Sequence, residues 1–185
     1  MNVGRLLLRA SIGSFFIGHG TQKLFGWFGG HGIDGTAGFF ESIGIKPGRR
    51  NAIAAGAAEA GGGALLAAGA ATPLAAASLI GVMLTAIRTV HLKNGPWVTA
   101  GGYEYNAVLI AALVALAEVG PGKPSIDELL GKRLCGPRWA IAAAAAGAIG
   151  SAAVLAGSNL NSADEEAVQE TEGTQAHEVP AGAVA

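Results

Sequence analysis

The chain has little charge, few aromatic residues and almost no cysteine. Charged residues make up 14% of its 185 residues and aromatic residues 6%. A soluble domain is about one-quarter charged, so this chain has too few charges to cover its own surface. The single cysteine, Cys135, excludes an intrachain disulfide, a Cys-x-x-Cys redox motif and a cysteine-rich metal site. Hydrophobic residues at 51%, with a mean hydropathy of +0.44, indicate a membrane protein whose main partner is the lipid bilayer.

The few charges are distributed unevenly along the chain. The last 28 residues contain six of the thirteen acids and no Lys or Arg. The first 157 residues therefore carry seven acids against twelve bases. These bases are scattered, which argues against nucleic-acid binding. The acidic tail, residues 158–185, is poor in aromatic residues and is predicted to be disordered.

Long apolar segments divide the rest of the chain. A membrane-spanning helix needs about 20 residues, and five segments come close to this length. The sequence predicts an all-α polytopic membrane bundle, with a four-helix core in residues 1–134 and a fifth transmembrane helix in residues 135–157. A short interfacial helix is predicted from Thr36 to Ile43, and Ser125 is predicted to cap another short helix. The predicted spans are residues 2–21, 51–71, 73–91, 103–119 and 137–157.

The basic residues do not decide the orientation of these spans. Six bases fall on each side of the membrane, so the positive-inside rule gives a tie. We expect the N-terminus inside, because the first span usually dominates.

Glu59 is the one charged residue between Ala52 and Ile87. An ionisable group in hydrocarbon costs several kcal/mol unless it is paired, and such groups are often functional. Glycines 61–63 follow directly, and their lack of side chains lets a neighbouring helix or a small ligand come close.

Several polar residues end or begin the neighbouring spans on one membrane face. Two hypotheses remain open for them: a pocket for ligand binding or proton relay, and structural pairing, such as an ion pair between Glu59 and Arg88. No His-x-x-x-His or similar spacing supports a metal site, so none is predicted. The candidate residues are His19, Gln22, Lys23, Glu59, Arg88, His91 and Glu104.

Five separated blocks of sequence resemble the DoxX family of small bacterial membrane proteins. The blocks are GHGTQKLFG at residues 18–26, GTAGFFE at 35–41, TPLA at 72–75, VH at 90–91 and GYEYN at 102–106. The resemblance covers roughly residues 1–130 and implies a four-helix bundle in the bacterial inner membrane. The fifth span and the acidic tail lie outside the family core. The family is named after a subunit of a thiosulfate:quinone oxidoreductase, and some relatives are linked to membrane complexes that handle oxidative stress.

Two functions are therefore expected. The first is an integral membrane subunit or partner of a redox or oxidative-stress complex, with a quinone or similar small molecule in the polar cluster. The alternative is a non-enzymatic scaffold whose buried charges hold the bundle together. The chain has no cofactor-binding motif, so any electrons would come from another protein or a diffusing carrier. Enzymatic activity and homo-oligomer formation are left open.

Overall fold

The chain folds into helices that pack side by side. The computed structural model describes residues 2–177, and the side chains of residues 2–163. All regular secondary structure in this range is helical. The α-helices are α1 (Val3–Phe25), α2 (Gly32–Ser42), α3 (Gly48–Ala68), α4 (Thr72–Ala86), α5 (Glu104–Val119), α6 (Ile126–Leu129) and α7 (Pro137–His177). A π-helical turn, Ile87–His91, continues α4, and short 3₁₀ turns cover Trp27–Gly29, Leu92–Asn94 and Val98–Ala100.

Four of these helices, α1, α3, α4 and α5, form the bundle. Helix α1 packs along α3, α3 along α4, and α4 along α5, while α1 makes few contacts with α5. The apolar core lies among these helices and includes the fully buried Leu66, Leu79 and Leu113. Helix α7 packs on α4 and α5 and adds Ala140 and Ala143 to the core, and the short helix α2 packs on α3 and α1.

The closest packing in the bundle lies between α1 and α3. A Cβ atom placed on Gly13 would lie 2.6 Å from the carbonyl oxygen of Gly63, and one placed on Gly20 would lie 2.6 Å from that of Gly56. Real Cβ atoms do not approach an oxygen this closely, so only glycine fits at these positions. The backbones of α1 and α3 are therefore in direct contact along two helical turns, as small residues allow.

The glycines after Glu59 each face a different environment. Gly63 faces α1, and a Cβ on Gly62 would touch the side chains of Ser78 and Leu79 on α4. Gly61 faces open space. From the sequence, we expected either a helix or a ligand beside these glycines. The structure places helices beside Gly62 and Gly63.

The segment of residues 120–136 covers one end of the bundle, which we call the loop end. Ser125 accepts a hydrogen bond from the backbone nitrogen of Glu128 at 3.2 Å, so the predicted cap is confirmed. The buried carboxylate of Asp127 accepts hydrogen bonds from the backbone nitrogens of Ala71 (2.9 Å) and Thr72 (3.2 Å). Asp127 therefore caps the first turn of α4, a role that its sequence context does not reveal.

Arg9 lies at the same end and is also buried. Only 3% of the residue is exposed. Its guanidinium donates to the backbone carbonyl of Pro124. Arg9 thus fastens the segment of residues 120–136 to α1.

The helix boundaries differ from prediction mainly at the C-terminal end. Helix α7 does not end at residue 157 but continues to His177. The segment expected to be disordered is therefore helical as far as His177, and residues 178–185 lie outside the described range. Ser158 and Asn161, residues that often end helices, instead donate to the carbonyls four residues earlier, those of Val154 and Gly157.

Two helices in the described range are long and apolar enough to cross a membrane. These are Thr72–Asn94, which includes the turns after α4, and Pro137–Ala163 within α7. Helix α5 is apolar but has only 16 residues. Helices α1 and α3 carry charges, and α3 is built largely from Ala and Gly, which are only moderately hydrophobic. The full set of five spans therefore remains a prediction.

The glycine contacts between α1 and α3 can be tested with two neighbouring substitutions. Gly63→Ala places a methyl group against the backbone of α1, and we expect this overpacking to lower the free energy of unfolding by about 1–3 kcal/mol. Gly61→Ala gains the same helix propensity in open space and should not destabilise the protein. Thermal unfolding of both variants in detergent, followed by circular dichroism, makes the comparison. Equal unfolding temperatures would contradict the close contact.

Candidate functional site

A large cavity lies beside the polar residues of the bundle. Its volume is about 970 Å³, and α1–α5 and α7 all contribute to its lining. Along α4 and the π-helical turn that continues it, the lining extends from Leu74 to His91, a distance of about 25 Å at the helical rise per residue. Most of the lining is apolar, including Phe15, Phe16 and Phe40. The cavity therefore has room for a long apolar molecule.

An ion pair between Lys23 and Glu59 forms part of the cavity wall. The Nζ atom of Lys23 lies 2.6 Å from Oε2 of Glu59. The glutamate side chain is 4% exposed and the lysine side chain 24%. Lysine side chains on a helix lean towards its N-terminus, so Lys23, in the last turn of α1, reaches back along the helix to Glu59. The contact between Gly20 and Gly56 brings these two turns together.

His19 also lines the cavity, one turn before Lys23. Its Nδ1 atom lies 3.1 Å from the amide oxygen of Gln22. The amide nitrogen of Gln22 donates in turn to the carbonyl of Phe28 at 3.3 Å. Gln22 is not part of the lining, and its role is to orient the imidazole of His19.

His91 lies at the opposite end of the cavity from Leu74. Its Nδ1 atom is 2.8 Å from the carbonyl oxygen of Gly101. A carbonyl can only accept, so Nδ1 carries the proton and Nε2 is left as an acceptor. His91 closes the π-helical turn after α4, and such turns occur frequently at functional sites.

Arg88 and Glu104 do not line the cavity. Arg88 is exposed, and the expected ion pair between Glu59 and Arg88 is wrong, because Lys23 is the partner of Glu59. The packing register explains the error: Gly62 contacts Leu79, which puts Glu59 about two helical turns short of Arg88. Glu104 accepts a hydrogen bond from the backbone nitrogen of Val98 at 2.9 Å and so stabilises the loop before α5.

Asn106 and Met83, which the sequence analysis left out of the site, also line the cavity. Asn106 is 7% exposed, and its amide nitrogen donates to the Sδ atom of Met83 at 3.3 Å. The only hint in the sequence was a polar amide in the first turn of an otherwise apolar helix.

Among the described residues, no group of three or more His, Cys, Asp or Glu side chains is placed to hold a metal ion.

Comparisons with known proteins identify the family of this chain. The DoxX family model matches residues 4–92. A curated protein of Bacillus subtilis (strain 168), named "Putative oxidoreductase CatD", is 33% identical over 130 residues, which are 70% of this chain and 89% of that protein. This chain belongs to the DoxX family. The resemblance found in the sequence is thereby confirmed, and no solved structure matches the chain.

The family assignment covers most of the site but not all of the protein. The family model matches the part of this DoxX protein that contains His19, Lys23, Glu59 and His91. DoxX proteins are membrane proteins, which agrees with the two helices of suitable length and composition. Helix α7, which contributes to the cavity wall, lies beyond the part matched by the family model.

The ion pair predicts a clear pattern of stabilities. Lys23→Met or Glu59→Met alone leaves an unpaired charge in the bundle, and each should lower the free energy of unfolding by about 2–3 kcal/mol. The double variant leaves no unpaired charge and should lie within about 1 kcal/mol of the native protein. Thermal unfolding of all four proteins gives the double-mutant cycle.

The exposed ion pair between Asp34 and Arg49 supplies the control for this cycle. The side chains of Asp34 and Arg49 are 91% and 66% exposed, so removing both should change stability little. Additive effects of the two methionine substitutions would contradict a coupled pair.

Proposed function

We propose that this DoxX protein is a multi-pass protein of the bacterial inner membrane that binds a quinone-like molecule in its cavity. It acts there as a subunit or partner of a membrane redox or oxidative-stress complex. The observation that carries the proposal is the cavity itself, a long apolar space with an ion pair and two imidazoles in its wall. The name of the Bacillus subtilis relative, an oxidoreductase, supports a redox context.

The lining of the cavity is matched to a molecule with a small polar head and a long apolar tail. Apolar side chains line most of the roughly 25 Å along α4 and can cover an isoprenoid or alkyl chain. The ammonium group of Lys23 is a hydrogen-bond donor for a carbonyl oxygen of the head group. Because Glu59 neutralises this ammonium, the cavity favours a neutral head group over an anion.

The two histidines give the cavity imidazole groups, whose ring nitrogens can donate and accept hydrogen bonds and protons. Reduction of a quinone to the hydroquinone takes up two electrons and two protons. Nε2 of His91 is free to accept or return a proton at the cavity wall, and His19 is partly open to solvent. The chain has no cofactor-binding motif, so the electrons come from a partner protein.

The outward surface of the bundle supports the five-span arrangement. Large apolar side chains point away from the core on several helices: Leu7 on α1 is 61% exposed, Val108 on α5 65% and Ile149 on α7 70%. Lipid is the surrounding in which such residues are stable. The exposed aromatic residues Trp27 and Trp97 lie at the end opposite the loop end, as residues of an interfacial belt do.

A second candidate function is a non-enzymatic membrane scaffold. It is favoured by one observation: Lys23 and Glu59 already satisfy each other across the glycine contacts of α1 and α3. In that case the pair fixes the register of two helices and contacts no ligand. Binding measurements separate the two functions.

The quinone hypothesis predicts that the ion pair contributes to ligand binding. The purified protein in lipid nanodiscs should bind decylbenzoquinone, measured by isothermal titration calorimetry. The Lys23→Met/Glu59→Met double variant keeps the fold but loses the donor for the carbonyl, so its affinity should fall about tenfold, the equivalent of about 1.4 kcal/mol. Removal of both Asp34 and Arg49, which lie outside the cavity lining, should leave the affinity unchanged.

Two results would reject this hypothesis. Absence of decylbenzoquinone binding to the native protein removes the quinone proposal. Unchanged affinity in the double variant means that the ion pair is structural, which favours the scaffold.

The proposed orientation can be tested through the single cysteine. Cys135 is exposed and lies at the loop end, beside Gly120. With the N-terminus inside, an impermeant thiol reagent should label Cys135 only after the cells are permeabilised. A Cys135→Ser/Thr99→Cys variant moves the thiol to an exposed position at the opposite end and should be labelled in intact cells. The reverse pattern would place the N-terminus outside.

A further inference from the structure

Asn106 is a buried amide whose hydrogen-bonding capacity is almost unused. Only 7% of the residue is exposed, and that surface lies in the cavity wall. Its amide nitrogen donates to the thioether sulfur of Met83, which is a weak acceptor. Its amide oxygen has no hydrogen-bond partner among the side chains and backbone groups of the described residues. The amide oxygen is open to the cavity, so a bound ligand that donates a hydrogen bond to it would be favoured.

The depth of Asn106 in the bundle can be read from the helix contacts. Gly62 of α3 contacts Leu79 of α4, and these two helices are antiparallel neighbours. Glu59 lies about one turn from Gly62, and Met83 one turn from Leu79, in the same direction along the bundle. Met83 and its partner Asn106 are therefore level with the ion pair of Glu59. Asn106 is on α5 and the ion pair on α1 and α3, so the two polar groups belong to different walls of one cavity.

Four hydroxyl groups in the cavity wall, those of Ser78, Thr85, Thr89 and Ser151, already have partners. Ser78 donates to the carbonyl of Ala75, and Thr89 to that of Thr85. The hydroxyl of Thr85 lies 2.9 Å from both the carbonyl oxygen of Gly81 and the hydroxyl of Ser151. These bonds tie the hydroxyls to their own helices or to α7. Asn106 is set apart from them by its unused amide oxygen.

We propose that Asn106 is a ligand-binding residue that selects a flat head group with two oxygens on opposite edges. The inference rests on the proposed function of the cavity. One oxygen is held by Lys23, and the other meets the amide of Asn106 at the same depth. An amide offers both a donor and an acceptor, so Asn106 pairs with the carbonyl of a quinone through its nitrogen and with the hydroxyl of a hydroquinone through its oxygen. The weak hydrogen bond from Asn106 to the sulfur of Met83 is readily replaced by a hydrogen bond to the quinone or to the hydroquinone.

Two probes with the same alkyl tail test this selectivity: decylbenzoquinone, with two oxygens on opposite edges of the ring, and decylphenol, with one. The native protein in nanodiscs should bind decylbenzoquinone about ten times more tightly than decylphenol, which lacks the second oxygen. Asn106→Leu should lose this preference because its affinity for decylbenzoquinone falls, while its affinity for decylphenol stays the same. Met83→Leu keeps the amide and should keep the preference. Asn161→Leu, which removes the same type of side chain from α7 outside the cavity lining, serves as the control.

Thermal unfolding separates ligand binding from a structural role. Replacing an amide without a good partner by leucine should leave the unfolding temperature of the free protein unchanged or raise it. If Asn106→Leu does not fold, Asn106→Ser remains polar but is too short to reach the ligand, and it should show the same loss of preference.

The outcomes distinguish this inference from the function on which it rests. If Asn106→Leu keeps the preference while the Lys23→Met/Glu59→Met variant loses decylbenzoquinone affinity, the role of Asn106 is overturned and the quinone site stands. If the native protein binds neither probe, both proposals are overturned. A lower unfolding temperature with unchanged preference would assign Asn106 a structural role and reject the inference.

Discussion

The direct backbone contact between α1 and α3 is the constraint on which the site depends. Gly13 and Gly20 on α1 meet Gly63 and Gly56 on α3, and no larger residue fits. This contact sets both the distance between the two helices and their register. Since Lys23 follows Gly20 by one turn, and Glu59 lies between Gly56 and Gly63, the register also sets the ion pair. A backbone contact without side chains thus determines where the charges meet.

The charged and polar groups fall into two classes with different tasks. At the loop end, Asp127 and Arg9 bind backbone groups and hold the covering segment onto the helices. In the cavity, the imidazole of His91 and the amide of Asn106 keep bonding capacity that the protein itself does not use. At the loop end, Nε and one Nη atom of Arg9 are also buried without a hydrogen-bond partner, so unused bonding capacity does not by itself separate the two classes. They differ in position: the first class holds the covering segment, and the second lies in the cavity wall.

The sequence predicted the elements better than their contacts. The long apolar segments of the sequence revealed the helices, since helix formation and helix ends are encoded locally. The lone Glu59 drew attention to the cavity that it lines. Its partner Lys23 was not predicted, because the register of two helices depends on glycine contacts between residues more than 30 positions apart. The capping of α4 by Asp127 spans more than 50 positions and was missed for the same reason.

The sparse contact between α1 and α5 has a mechanical consequence. Glycine draws α1 tightly against α3, so the side of α1 that faces α5 is left loosely packed. The four helices separate most easily between α1 and α5, because separating these two helices breaks few contacts, whereas α1 and α3 are tightly packed. If the cavity binds a water-insoluble molecule as proposed, separation of α1 from α5 gives that molecule a path directly from the bilayer, without crossing the aqueous phase.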